Sequence, residues 1–179
     1  MRKARSANLL FMSRSALVMV AAFALAMPAI AATDDPADPV AAEADARSIL
    51  AGTNVDALAR ARARVLLGRA LHLQRRFDDA EAQQRQALAI LRTAPEPDSR
   101  LLTSLLFNQA ESLRALDRPA EAEPLARAAL DRRLGSSAEQ ADIADSQIQL
   151  AIILNSLYRY TEAEAHAREA KTARTALLG

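Results

Sequence analysis

The chain has 179 residues, 51% of them hydrophobic, 25% charged and 3% aromatic. Four glycines and seven prolines leave little turn material for a β-rich fold. A cysteine count of zero excludes disulfides and anchoring through an acylated cysteine, so the alanine, leucine and arginine content predicts an all-α protein with thin side chains at its helix contacts.

In chain order, Arg2, Lys3, Arg5 and Arg14 form a basic head, followed by the uncharged apolar run Ala16 to Met27, Pro28 and the small-x-small pattern Ala29-Ile30-Ala31. This is the layout of a secretory signal peptide over residues 1–31, and it predicts a periplasmic or secreted protein of a bacterium. An uncleaved membrane anchor is the rival reading, but a spanning helix needs about 20 apolar residues and this run is shorter. The leader carries four of the 23 basic residues and no acid, leaving 19 basic against 22 acidic groups, net −3. The formal charge of +1 therefore belongs to the precursor and supports no nucleic-acid partner.

Residues 32–39 are acidic and proline-punctuated and predict a disordered linker. Residues 40–53 hold a short helix, Val40 to Leu50, stopped by Gly52. A domain of paired helices is expected over 54–179. Its first helix runs to about Arg75, capped by Asn54 or Asp56. Its second runs from Asp78 to Arg92, before a proline break at 93–98. Asp98 or Ser99 caps the third, Arg100 to Leu116. Pro119 opens the fourth, where no amide donor is needed; Pro124 predicts some kinking; Gly135 is a natural left-handed stop. Ser136 or Ser137 caps the fifth, and the sixth runs from Thr161 to about Leu178.

A short phrase recurs through these pairs: Arg76-Phe77-Asp78-Asp79-Ala80-Glu81-Ala82, then Arg118-Pro119-Ala120-Glu121-Ala122-Glu123-Pro124, then Arg159-Tyr160-Thr161-Glu162-Ala163-Glu164-Ala165. The copies stand 42 and then 41 residues apart, a period that marks stacked helical hairpins. Aligned on the phrase, Gly68, Ala110 and Ala151 share a column, as do Leu71, Leu113 and Leu154, Arg85, Arg127 and Arg168, and Ala87, Ala129 and Ala170. Small residues in these columns let paired helices approach closely. Acids after each turn suit the positive end of the second helix.

The pattern resembles the tetratricopeptide repeat, in the longer variety of about 42 residues found in kinesin light chains and many bacterial proteins. It departs from the family where Leu71, Leu113 and Leu154 replace a frequent tyrosine, and at Pro119. The resemblance implies a right-handed α-solenoid superhelix of three hairpins, about 54–97, 98–135 and 136–179. It also implies a concave groove lined by the first helix of each pair. The groove residues it selects are Arg62, Arg69, Phe107, Asn108, Arg114, Gln149 and Asn155, with arginines for carboxylates, amides for peptide backbone and Phe107 as an apolar anchor.

No motif for catalysis accompanies this. His72 and His166 lie in different repeats, and no metal-protease, phosphate-loop or nucleophile-elbow pattern occurs. His166 follows Glu162 by four residues, which reads as a solvated helical pair. Arg60, Arg62, Arg64 and Arg69 read either as partners of the acidic segment Asp34 to Asp56 or as a basic patch in the groove. The expectation is a protein that is no enzyme, uses no cofactor or metal, has no membrane span once the leader is removed, and binds a protein or peptide segment. A self-assembling structural subunit of the cell envelope, a homo-oligomer, is the alternative.

Overall fold

The computed structural model describes residues 36–94 and 98–178. The leader and its cleavage pattern lie outside the described residues, as does the first half of the expected linker, residues 32–35. Seven helices are present among the described residues: α1 (Pro39–Ala51), α2 (Ala57–Leu73), α3 (Phe77–Thr93), α4 (Ser99–Ala115), α5 (Pro119–Leu134), α6 (Gln140–Ser156) and α7 (Tyr160–Leu178). No described residue is in a strand, and no described helix is long and apolar enough to cross a membrane.

The starts follow the capping chemistry closely in three cases. Asp38 accepts from the Val40 and Ala41 amides, Asp56 from Ala59 and Asp98 from Leu101, each carboxylate satisfying donors that a first turn leaves open. The cap expected at Ser136 or Ser137 is different. α6 starts at Gln140 with Glu139 before it and no side-chain cap, while Ser136 turns back to donate to the Arg133 carbonyl at 3.0 Å. Gly135 has φ −82°, so it ends α5 without a left-handed residue. α5 runs unbroken through Pro124.

The left-handed positions fall elsewhere. Arg75, Asp117 and Tyr158 have φ of 62°, 58° and 61°, and they occupy one column of the repeat. After each first helix the next residue's amide reaches back across the turn: Arg76 to the Leu71 carbonyl, Arg118 to Leu113, Arg159 to Leu154, all at 2.9 Å. The left-handed residues themselves donate to His72, Arg114 and Asn155. This double closure is the Schellman end of a helix, made here without the usual glycine. Three copies of it give three turns of the same shape.

Each helix packs on its sequence neighbours, and the first helices also touch one another: α2 meets α4 and α4 meets α6. Among the described residues α3 and α5 make no such contact, nor do α5 and α7. The first helices are therefore crowded on one side and the second helices spread on the other, which curves the stack towards α2, α4 and α6. The core follows that arrangement. One cluster joins Ala61, Val65, Ala87, Leu91, Leu101 and Leu105, and a second joins Ala110, Leu113, Ala122, Ala126, Leu150 and Ile153.

α1 extends the pattern in a way that the spacing conceals. Its Ala42, Glu43, Ala46, Arg47 and Leu50 match Ala122, Glu123, Ala126, Arg127 and Leu130 of α5 residue for residue. Ala46 and Leu50 pack with Leu67, Leu71 and Ala80, as a second helix packs on the next repeat. The offset from α3 is 38 residues in place of 42, and the turn arginine is missing, so the alignment on the phrase passes over it.

Candidate functional site: the face of the first helices

The glutamate of the repeated phrase ties one repeat to the next. Glu43, Glu81, Glu123 and Glu164 each pair with an arginine four residues on, at 2.7, 3.6, 3.0 and 2.6 Å. Arg76 and Arg159, at the turn of the following repeat, reach back to Glu43 at 3.0 Å and Glu123 at 2.6 Å. Both also hold the acid three residues ahead, Asp79 and Glu162. Arg118 grips Glu121 with two bonds of 2.7 Å and stands in the field of Glu81. Hydrogen bonds from Arg47, Gln74 and Arg76 hold Glu43 below the ordinary carboxylate range. For Glu123 burial pushes upward, but bonds from Arg127 and Arg159 outweigh it and the net shift is down. The phrase is therefore the clasp between repeats, and the face of the first helices is what it positions.

On that face a pocket of about 250 Å³ lies between α2, α3 and α4, lined by Arg69, His72, Gln84, Phe107, Asn108 and Glu111. Three of the expected groove residues, Arg69, Phe107 and Asn108, meet here. Gln84 comes from the second helix and was not expected; the signal for it is Gly68. A Cβ on Gly68 would stand 2.9 Å from Gln84 Cγ and 3.3 Å from the Ala80 carbonyl oxygen, so the missing side chain makes room for the glutamine. In the next two repeats the small position is alanine and the facing residue is also alanine, Ala126 and Ala167. Gln84 Nε2 donates to the Asn108 carbonyl at 3.3 Å, while Gln84 Oε1 and Asn108 Nδ2 are buried with no hydrogen-bond partner among the described residues.

The remaining expected residues are spread along the face. Arg62 pairs with Asp98 at 3.1 Å, and Arg114 pairs with Glu111 at 2.9 Å while staying half-buried. Gln149 is 2% exposed; its Nε2 donates to the Phe107 carbonyl at 2.8 Å and to Glu111 at 3.2 Å, so it bridges α6 to α4. Asn155 lies further on, beside Ile148 and Ile152. Phe107 is covered on one side by the Arg133 guanidinium, 4.7 Å from the ring centre. Burial lowers the pKa of Arg133, opposed by the charges of Asp142 and Asp145.

The arginine series of α2 divides. Arg60 donates to the Val55 carbonyl, Arg64 to Gln83 and Arg62 to Asp98, so these three serve different neighbours and form no common patch. His166 pairs with Gln147, and Glu162 is taken by Arg159 and Arg127, so the expected His166–Glu162 pair does not form. No group of three or more potential metal ligands occurs among the described residues.

Family models for the tetratricopeptide repeat match residues 59–135 and 143–179, together more than half of the chain. The chain belongs to the tetratricopeptide-repeat family. Its fold is also similar to the crystal structure of BtubC (BKLC) from P. vanneervenii, with a TM-score of 0.58 and 22% sequence identity. That likeness covers 79% of this chain and 57% of the other, so the chain spans less than two thirds of its neighbour's length. No curated protein matches the chain. A tetratricopeptide-repeat domain is typically a non-catalytic scaffold for protein–protein interaction, and the curvature and clasps described above are what such a scaffold needs.

Proposed function

We propose that this tetratricopeptide-repeat protein is exported and binds an extended segment of another protein along the face of α2, α4 and α6. The observation that carries the reading is the pocket at Arg69, Phe107 and Asn108. There a buried amide donor and a buried amide acceptor stand without partners among the described residues, beside a half-buried aromatic ring. An unpaired buried polar group costs roughly 1–3 kcal/mol, which is recovered when the amide side chain turns to meet a peptide backbone group. In this reading Phe107 receives an apolar side chain. Arg62, Arg114 and Asn155, all reachable by solvent, make the polar contacts along the groove, and Arg69 and Gln149 form its floor.

The export signal at the N-terminus directs the search for the partner to the cell envelope. Substituting Asn108 and Arg114 together by alanine removes two half-buried side chains outside the core clusters. The variant is expected to keep its helical circular dichroism and to lose capture of the partner from envelope extract. Capture at the wild-type level would refute the groove. N-terminal sequencing of the exported protein tests the address, and an intact Met1 overturns it.

A further inference from the structure

The contacts between repeats provide a template for a surface on which no described helix lies. α4 covers Gln84, Ala87, Leu88 and Leu91 of α3, leaving them at most 7% exposed; α6 covers Ala126, Ala129, Leu130 and Arg133 of α5, again at most 7% exposed. On α7 the same column holds Ala167, Ala170, Lys171 and Arg174. Ala170 is buried, but Ala167, Lys171 and Arg174 are exposed. With Ile148, Ile152 and Asn155 of α6 they border an open trough of about 690 Å³. Ile152 is 44% exposed there.

Both ends of the trough carry the groups that receive a helix in the filled copies. Arg174 stands where Arg133 stands, and Arg133 donates to the Asp142 carbonyl and the Ser146 hydroxyl of the arriving helix, both at 2.7 Å. Glu164 stands where Glu43 and Glu123 receive the next turn's arginine. Here Glu164 binds Arg168 of its own helix and its side chain is 71% exposed.

We propose that this trough docks an amphipathic helix of a partner protein in the position of a following first helix. Its chemistry is set by the filled copies. It carries an acidic or hydroxyl side chain in its early turns, as α6 carries Asp142 and Ser146, facing Arg174 and Lys171, and then leucine or isoleucine spaced as Leu150 and Leu154 are in α6. An arginine just beyond its end faces Glu164. Among the described residues, a second copy of this chain offers no such helix at its opposite end. α1 is of the second-helix type, and its outward side is Val40, Ala41, Ala44, Asp45 and Ser48, where Val40 is a single large apolar side chain and no leucine or isoleucine stripe runs. This surface adjoins the groove of α2, α4 and α6 at Asn155 and lies away from the pocket at Arg69, Phe107 and Asn108.

The probe is a synthetic peptide of residues 139–159, which carries Asp142, Ser146, Leu150 and Arg159, held helical by a staple on its solvent side. Titrated against the full-length protein by fluorescence anisotropy, it is expected to bind saturably at one per chain. Ile152→Asp, a change at an exposed position, is expected to weaken binding at least tenfold, and Glu164→Arg to weaken it severalfold. A peptide with Arg159→Glu is expected to restore binding to the Glu164→Arg protein. The Asn108→Ala/Arg114→Ala protein is expected to bind the probe as the wild type does, which separates this surface from the groove. Absence of saturable binding, or affinity indifferent to Ile152→Asp, overturns the proposal. So does a wild-type dimer in sedimentation that Ile152→Asp converts to monomer, which would assign the trough to a second copy.

Discussion

Gly68 and Gln84 form a matched pair inside a repeat whose other copies use alanine against alanine. Gly68→Ala gains helix propensity of about 1 kcal/mol but places its Cβ 2.9 Å from Gln84 Cγ and close to the Ala80 carbonyl. Overpacking of this kind typically costs about 1–3 kcal/mol, so the single variant is expected to lower the urea midpoint. Combining it with Gln84→Ala rebuilds the Ala110–Ala126 contact. The double variant should recover at least 1 kcal/mol relative to the sum of the singles, roughly the coupling seen between touching residues. Strict additivity would show that the two side chains do not contend for one space. Tyr158 makes a second residue-scale case. A bulky residue with φ 61° is held in a conformation that costs about 1–3 kcal/mol outside glycine. Tyr158→Gly is expected to raise the unfolding free energy by about 0.5–1 kcal/mol, after the larger entropy of unfolded glycine is counted. Tyr158→Ala, which keeps the strain and loses the ring, should not. Equal effects of the two would place the gain somewhere other than the backbone.

At the scale of the helix, the turn arginine and the glutamate of the preceding second helix act as one clasp. Single exposed ion pairs contribute little. Glu123, however, is 18% exposed and receives both Arg127 and Arg159, a charge-assisted arrangement of greater strength. Its carboxyl is depressed in the folded protein below the ordinary value of 4.5. The stabilisation is therefore fully present above that value and fades as pH falls through the lower folded one. Glu123→Gln is expected to lower stability by about 1–2 kcal/mol at neutral pH. Followed by denaturant titration towards pH 3, the gap between the two proteins should narrow below about pH 4.5. A gap that persists unchanged in acid would mean the carboxylate charge is not its source.

The helices themselves were largely legible in the sequence, because apolar spacing and the capping acids Asp56 and Asp98 are local signals. What failed was local information of another kind. Gly135 is the usual residue for a left-handed stop but sits at φ −82°, while Arg75, Asp117 and Tyr158 take that conformation with no glycine to announce it. α1 was read as a helix of its own, since a spacing of 38 residues and a lost arginine hide its kinship with α3 and α5. The face of the first helices was legible only as a set of columns. Whether a column residue meets solvent or a neighbour depends on partners far along the chain. Gln149 donates to a carbonyl 42 residues away, and Arg62 is held by an acid 36 residues away.

For the molecule as a whole, repeats that touch only their neighbours behave as a nearly one-dimensional stack, with stability built from units and the contacts between them. Here the contacts use one vocabulary: a small residue where helices cross, a left-handed turn, an arginine and the glutamate before it. Because α1 is the second helix of a pair, the described fold opens in mid-phrase, and it divides naturally inside the hairpins, leaving each joint between hairpins whole. The segment from Phe77 to Arg118 starts with a second helix, ends with the next turn arginine and carries the packing of one hairpin on the next within itself. The transferable unit of this protein is thus the joint between two hairpins, and a solenoid assembled from such joints can change its length while the curvature of its inner face stays the same.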